Sequence, residues 1–143
     1  PNKDNAIKDE RLDDLIGWTV CNLLKHIDNF HDMTHRKFDS TIGEAHIRNK
    51  NYLLIHGDVD IISKTGIGGL VTMLGFCPEY IVCGHKHTPA MKEFNGIQIY
   101  QSGSFAPSGD DYTISKRLSG KASQTVLVCD EQGVQCCYNV KLQ

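Results

Sequence analysis

Two imidazoles stand two residues apart in the segment Cys83-Gly84-His85-Lys86-His87-Thr88-Pro89. They follow the apolar run Tyr80-Ile81-Val82-Cys83, which is typical of a short buried strand. Side chains at positions i and i+2 of an extended segment point to the same side, so both rings can converge on one point. Neutral imidazole is the commonest protein ligand of borderline metals. The segment predicts a metal site, and the alternative is a pair of ordinary surface or packed histidines.

A third histidine, His56, ends a second apolar run, Tyr52-Leu53-Leu54-Ile55, and is followed by Gly57 and Asp58. Two buried strands that each end at a histidine beside a glycine would bring three imidazoles to one edge of a sheet. Open α/β sheets bind their ligands at this edge, outside the carboxyl ends of the strands. The alternative is that His56 caps its strand and Asp58 begins the next turn. Taken with the first pair of histidines, the pattern favours the metal site.

The clearest predicted helix covers residues 6–27, because apolar side chains recur there at steps of three and four. They are Leu12, Leu15, Ile16, Val20, Leu23, Leu24 and Ile27. Acidic residues crowd its first turns, where they complement the helix dipole. We interpret this cluster as a solvated helix face and not as a metal site.

Residues 28–50 are polar and predict short strands and loops, with His31, His35 and His46 on the surface. Residues 45–48 and 52–56 look like a hairpin that turns at residues 49–51. The glycines at 66, 68 and 69 lack the spacing of a phosphate-binding loop, so they predict either close packing or an irregular entry into a short helix over residues 70–75.

The rest of the chain predicts β-structure. Residues 91–94 and 97–101 flank Asn95-Gly96, the strongest short hairpin signal. A second predicted hairpin pairs residues 125–129 with 134–140. Between the hairpins lies a long polar loop, residues 102–123, that carries Lys116 and Arg117. These cations would face a phosphate-bearing substrate, or the loop is simply solvated.

Size and composition predict one globular domain over residues 1–143, since 40% of the chain is hydrophobic. The formal net charge of −2 argues against a general nucleic-acid-binding surface. No apolar run is long enough to span a bilayer, so no membrane partner is expected. The six cysteines could form disulfides. They show no CxxC spacing and four lie in apolar runs, so we interpret them as reduced thiols of a cytoplasmic protein.

The motifs carry a resemblance to a known family. Leu54-Ile55-His56-Gly57-Asp58 followed by Cys83-Gly84-His85-Lys86-His87 resembles the last two metal motifs of the calcineurin-like metallophosphoesterases. A third segment, Gln101-Ser102-Gly103-Ser104, is similar to the Asn-Pro-Gly-Ser loop that often follows in that family, with Gln-Ser in place of Asn-Pro. The order and spacing of the three segments fit the family from about Asn51 onward.

The resemblance implies a fold of the α+β or α/β class. This chain would form the C-terminal half of a four-layer αββα sandwich, with an N-terminal helix and C-terminal β-hairpins. It also implies a hydrolase of phosphomonoesters or phosphodiesters, with a nuclease or phosphodiesterase as candidates, and hence a nucleotide or nucleic acid as substrate. Two divalent ions, manganese, zinc or iron, about 4 Å apart would activate water and clamp the substrate.

The same resemblance assigns roles to individual residues. His56 and His85 would hold one ion and His87 the other. Asp58 is a candidate to orient an imidazole through its second ring nitrogen. Ser102 and Ser104 would support the site by hydrogen bonds.

The first three metal motifs of the family, Asp-x-His, Gly-Asp-x-x-Asp and Gly-Asn-His-Asp or Glu, are not in this sequence. We therefore expect these residues to be the C-terminal part of a longer enzyme, with the N-terminal half of that enzyme as a partner. Without the bridging carboxylate, this chain alone should bind metal weakly and show little activity. The alternative hypothesis is a non-catalytic binding module that holds at most one ion.

Overall fold

The computed structural model describes residues 33–37, 42–57, 62–105, 114–115 and 120–142. The predicted helix over residues 6–27 lies outside the described residues, as do Asp58, Lys116 and Arg117. The described part contains one helix of several turns and eight strands. They are β1 (Met33–Lys37), β2 (Ile42–Ile47), β3 (Lys50–Ile55), α1 (Lys64–Leu74), β4 (Tyr80–Cys83), β5 (Ala90–Phe94), β6 (Ile97–Gln101), β7 (Ser123–Asp130) and β8 (Gly133–Lys141).

Six of the strands form one mixed sheet in the order β1-β2-β3-β4-β6-β5. Its centre is parallel, because β4 pairs in parallel with both β3 and β6. The outer pairs, β1 with β2, β2 with β3 and β5 with β6, are antiparallel hairpins. Strands β7 and β8 form a separate antiparallel sheet. The three parallel strands therefore send their carboxyl ends to a single edge.

Two tight turns show how local sequence sets the hairpins. The turn between β2 and β3 consists of Arg48 and Asn49, both with positive φ, 51° and 62°. Asn95 and Gly96 repeat this geometry between β5 and β6, with φ of 52° and 82°. Positive φ at both central residues matches the right-handed twist of paired strands. The Asn95-Gly96 prediction is confirmed, whereas the first hairpin turns earlier than residues 49–51.

Helix α1 begins at Lys64, six residues before the predicted start. The Ser63 side chain caps it by accepting a hydrogen bond from the Gly66 backbone N–H at 3.2 Å. Gly75 ends the helix in the left-handed conformation, with φ of 74°. The expectation of an irregular, glycine-rich entry is wrong because Ile67 and Leu70 bury their side chains against the sheet. Tertiary packing of this apolar face outweighs the poor helix propensity of glycine.

Each face of the six-stranded sheet is covered by a different element. On one face, Ile67 and Leu70 of α1 pack on a cluster that includes Leu53, Ile81 and Ile99. The opposite face presents Ala45, Tyr52, Tyr80 and Tyr100, and these contact Leu127, Cys129 and Val134 of the two-stranded sheet. The described residues therefore form a helix layer, a large sheet and a small sheet. The mixed α/β class predicted from the sequence is confirmed.

Tyrosines fill the space between the two sheets. Tyr80 stacks on Tyr52, with ring centroids 4.7 Å apart, and lies 6.4 Å from Tyr100. Burial raises the pKa of the Tyr52 hydroxyl above its usual range. The Tyr80 hydroxyl accepts a hydrogen bond from the Val134 backbone N–H at 3.3 Å. This contact fixes the β7–β8 turn over one end of the parallel strands.

The cysteines of the described residues are all free thiols. Cys83 is buried, as its apolar run predicted, but Cys77 is exposed. Cys77 precedes Pro78 in the connection between α1 and β4, and its Sγ atom lies 3.9 Å from the Pro78 carbonyl oxygen. Among the described residues, no helix has the length and apolar character needed to cross a membrane.

Candidate metal centre

Three sequence-predicted segments end at the same edge of the large sheet. In the parallel register, Ile55 of β3 lies beside Cys83 of β4, and Cys83 lies beside Gln101 of β6. The ladder continues beyond the strands, because the Gly84 N–H donates to the His56 carbonyl at 3.1 Å and the Ser102 N–H donates to the Cys83 carbonyl at 2.8 Å. The backbone at the start of each motif is therefore held in place.

The side chains of His56 and His85 meet at this edge. The Nδ1 atom of His85 lies 3.2 Å from the Nε2 atom of His56. The ring centroids are 5.1 Å apart and the planes cross at 75°. Both side chains are exposed. Without a metal, this contact requires one nitrogen to carry a proton and the other to accept it, so the pair can share one proton in an N–H···N hydrogen bond.

The distance between these two nitrogens also fits a shared metal ion. With metal–nitrogen bonds of about 2.1 Å, two nitrogens on one ion lie roughly 3.0 Å apart at a right angle and about 3.4 Å apart in a tetrahedron. The observed 3.2 Å lies between these values. Replacing the shared proton by a divalent ion would require the rings to turn, because each lone pair must then point at the ion and not along the line between the two nitrogens. On such an ion the pair would supply two nitrogen ligands, and the other positions would be open to further ligands.

The loop that carries His85 and His87 is not extended. Both residues have positive φ, 59° and 57°. The Lys86 N–H donates to the Gly84 carbonyl at 2.7 Å, which makes His85 the centre of a γ-turn of the rare form with positive φ. Such conformations cost about 1 kcal/mol or more for a residue with a Cβ and cluster at functional sites. The expectation that the i and i+2 side chains share one side of a strand is therefore wrong.

Gly57 packs against the start of the loop that carries His85 and His87. Its φ of +96° is one that residues with side chains rarely adopt. A Cβ at this position would lie 3.5 Å from the Cys83 Cβ and 3.8 Å from the His85 Cβ. The glycine that follows His56 therefore gives the first histidine segment both the turn and the close approach to the second.

His87 is exposed and is not gathered with the other two imidazoles around one centre. Among the described residues, no three histidine, cysteine, aspartate or glutamate side chains are arranged to hold one ion. The assignment of His87 to a second ion stays a prediction. The end of the long polar loop returns close by, since a Cβ on Gly120 would lie 3.9 Å from the His87 carbonyl oxygen.

The serines of the third motif contact the small sheet. The Ser102 hydroxyl donates to the Gln124 side-chain oxygen at 3.4 Å and accepts from the Thr125 N–H at 3.3 Å. The Ser104 carbonyl accepts a hydrogen bond from the Ser123 N–H at 2.8 Å. These bonds attach the motif to β7 and are not directed at the imidazoles. A direct supporting role for Ser102 and Ser104 at the metal stays a prediction.

The predicted surface position of His46 agrees with the exposure of its side chain, but the ring also has a polar neighbour. Its Nε2 lies 3.3 Å from Oε1 of Glu44, whose side chain is only 7% exposed. Residues two apart on a strand share a face, so the pairing of His46 with Glu44 on β2 was available from the sequence. The His46 side chain is 43% exposed, and its Nε2 atom is engaged in this contact with Glu44.

Two residues near the pair stand in the quoted motifs but were given no role of their own from the sequence. Lys86 lies between His85 and His87 in the chain and is exposed. Gln101 is buried, and its side-chain amide donates a hydrogen bond to the Thr88 carbonyl in the loop of residues 84–89. Lys86 could have been noticed from its position alone. The role of Gln101 depends on the strand order, which the sequence does not reveal.

No family model matches the sequence. No curated protein matches it either.

Comparison of the fold with solved structures does find similar proteins. Vps29 from Entamoeba histolytica in complex with zinc matches at 16% identity over 81% of this chain and 63% of the other, with a TM-score of 0.48. A Thermotoga maritima protein matches at 20% identity over 66% and 50%, with a TM-score of 0.46. A predicted phosphoesterase from Streptococcus pneumoniae matches at 11% identity over 81% and 65%, with a TM-score of 0.36.

This chain spans about half to two thirds of the length of these structures. At such identities and TM-scores the likeness carries no conclusion about activity, ligands or partners. The similar structures include a predicted phosphoesterase. The resemblance to the calcineurin-like metallophosphoesterases continues to rest on the sequence motifs.

Proposed function

We propose that this chain is part of a metal-dependent phosphoesterase that hydrolyses phosphomonoesters or phosphodiesters. The observation that carries the proposal is the contact between His56 Nε2 and His85 Nδ1, 3.2 Å apart at the carboxyl ends of two parallel strands. Two imidazoles held this close by independent strands form a bidentate nitrogen site. A dinuclear centre of manganese, zinc or iron with His87 on the second ion is the finer form of the proposal.

The chain's own contribution to catalysis would be to fix ligand positions. The parallel ladder and Gly57 hold the backbone of His56 and His85, so only the imidazole rings would have to reorient when an ion binds. A divalent ion at this position lowers the pKa of a bound water and neutralises charge on phosphoryl oxygens. Carboxylate ligands from elsewhere in the complete enzyme would fill the remaining positions.

Lys86 and the returning polar loop suggest how an anionic substrate would approach. Lys86 presents an exposed ammonium group between the two histidines of its loop. Lys121, next to Gly120 beside His87, is also exposed. Cations at the rim of a site raise the local concentration of phosphate-bearing ligands. We include a nucleotide or nucleic acid among the candidate substrates on this basis, with Lys116 and Arg117 as further candidates.

The proposal predicts that this chain alone hydrolyses bis-p-nitrophenyl phosphate poorly, even with excess manganese. The reason is that only two imidazoles meet at the site and no carboxylate among the described residues joins them. The measurement is release of p-nitrophenolate by this chain and by a protein extended with segments that carry all three missing motifs, Asp-x-His, Gly-Asp-x-x-Asp and Gly-Asn-His-Asp or Glu. Brisk turnover by this chain that His85→Ala abolishes would show that the site is more complete than proposed. Absence of turnover in both proteins would contradict the phosphoesterase proposal.

A second candidate function is a binding module with at most one ion. The outer face of the small sheet favours it, because four apolar side chains there are about half exposed. They are Val126, Val128, Tyr138 and Val140. In register, Val126 lies opposite Tyr138, so the four form one continuous apolar strip. Stoichiometry separates the candidates: two ions per complete protein support the phosphoesterase, and one ion or none supports the module.

A further inference from the structure

The histidine loop, residues 84–89, has an unusual path through the sheet. It leaves β4 after Cys83 and enters β5 at Ala90, yet these two strands are not neighbours, because β6 lies between them. Gln101, the last residue of β6, pairs with Cys83 on one side and with Ala90 on the other. The loop must therefore cross over the end of β6, directly above Gln101.

The side chain of Gln101 fills the space beneath this crossing. It is only 7% exposed. Its amide nitrogen donates to the Thr88 carbonyl and lies 3.4 Å from the Thr88 hydroxyl. The Thr88 hydroxyl in turn lies 3.4 Å from the Lys86 carbonyl. The buried amide of Gln101 thus contacts Thr88, just after His87. Through the Thr88 hydroxyl it is linked to Lys86, which lies between the two histidines.

The loop needs such a support because its backbone is strained. His85 and His87 both have positive φ, and His85 is the centre of a γ-turn. Such conformations are unfavourable for residues with a Cβ, and they persist only where surrounding contacts over-determine them. The side chain of Gln101 is the buried polar group that reaches the loop from the sheet. A donor is required there, since the group it faces is a carbonyl oxygen.

We propose that Gln101 is a positioning residue that holds His85 and His87 in the geometry needed for metal binding. The proposal rests on the proposed function for its chemistry and adds a residue that acts through the loop. Gln101 does not itself contact the imidazoles. Groups that orient metal ligands from behind change metal affinity by about 10- to 100-fold when they are lost.

Two substitutions of similar size test the hydrogen bond and not the volume. Gln101→Met keeps the length of the side chain and removes the donor, and Gln101→Glu keeps the shape and places an acceptor against the Thr88 carbonyl. Calorimetric titration with zinc should show a roughly 10- to 100-fold weaker affinity in Gln101→Met and a larger loss in Gln101→Glu. Should one variant fail to fold, the other gives the same test. Affinities equal to that of the unchanged chain in a folded variant would overturn the proposal.

The matched control is Gln124→Met. Gln124 is a partly buried glutamine whose amide nitrogen donates to the carbonyls of Gly103 and Ser123 and whose side-chain oxygen accepts from the Ser102 hydroxyl. None of these groups belongs to the histidine loop. Its replacement should leave zinc affinity unchanged. An equal loss in Gln124→Met and Gln101→Met would mean that any disturbed amide weakens the site, which would overturn a specific role for Gln101.

Hydrogen exchange of the Lys86 amide gives a readout that does not depend on metal. This N–H is bound to the Gly84 carbonyl inside the γ-turn. It should exchange at least about tenfold faster in Gln101→Met than in Gln124→Met, because the loop opens more often. Equal exchange rates would overturn the positioning role. If the unchanged chain binds no zinc while the exchange rates differ as expected, the metal proposal fails and the positioning of the loop stands.

Discussion

Replacing His85 with alanine should weaken zinc binding by roughly 100-fold or more, a loss of about 2.7 kcal/mol. In the unchanged chain the two ring nitrogens are 3.2 Å apart. The variant leaves His56 as a single imidazole. A single ligand cannot chelate, so nearly all affinity from the shared geometry is lost. Calorimetric titration of both chains with zinc at neutral pH measures the difference.

The matched control for His85→Ala is His46→Ala. His46 is also a partly exposed histidine at the surface of the large sheet, but its ring contacts the carboxylate of Glu44. Zinc affinity should be the same with and without this imidazole. A loss in His46→Ala as large as that in His85→Ala would mean that zinc binds to scattered surface histidines, and the assignment of the pair would be wrong.

Replacing Gly103 with alanine should lower the free energy of unfolding by about 2–3 kcal/mol. A Cβ at this position would lie 2.8 Å from the Ser123 carbonyl oxygen and would overlap the Ser123 side chain. Because the first of these atoms belongs to the backbone of β7, the clash is relieved only by moving the small sheet. Urea denaturation measures the loss.

Gly68→Ala is the control for this substitution. Gly68 lies within α1, and nothing lies within 4 Å of a Cβ built there. Alanine should raise the free energy of unfolding by roughly 0.5–1 kcal/mol, because it is the better helix former. Similar effects in both variants would mean that Gly103 is not in contact with β7 and that the third motif does not attach the small sheet.

The parts of the fold that follow from local sequence were predicted well. The strand at Tyr80–Cys83 and the Asn95-Gly96 turn depend on an apolar run and on positive φ, both of which are read from a few residues. The start of α1 was predicted too late because Gly66, Gly68 and Gly69 have poor helix propensity. The helix begins earlier because Ile67 and Leu70 are buried against the sheet, and that contact joins residues far apart in the sequence.

One part of the candidate site also follows from local sequence, and the other depends on the order of the strands in the sheet. The convergence of His56 and His85 follows from two apolar runs that each end at a histidine, provided that the strands are parallel neighbours. The conformation of the histidine loop could not be predicted, because it depends on β6 lying between β4 and β5. Gln101 gains its role from that strand order, which no pattern of residue types encodes. For the same reason the i and i+2 argument for His87 relied on an extended backbone that the loop does not have.

The most direct test of the central claim is to observe the ring nitrogens of the histidines by ¹⁵N NMR during zinc titration. The account predicts that Nε2 of His56 and Nδ1 of His85 change together, since these are the two atoms that face each other. The ring nitrogens of His46 should remain unchanged at the same zinc concentration. Binding at the other nitrogen of either ring, or a response of His85 without His56, would contradict a shared ion between the two strands.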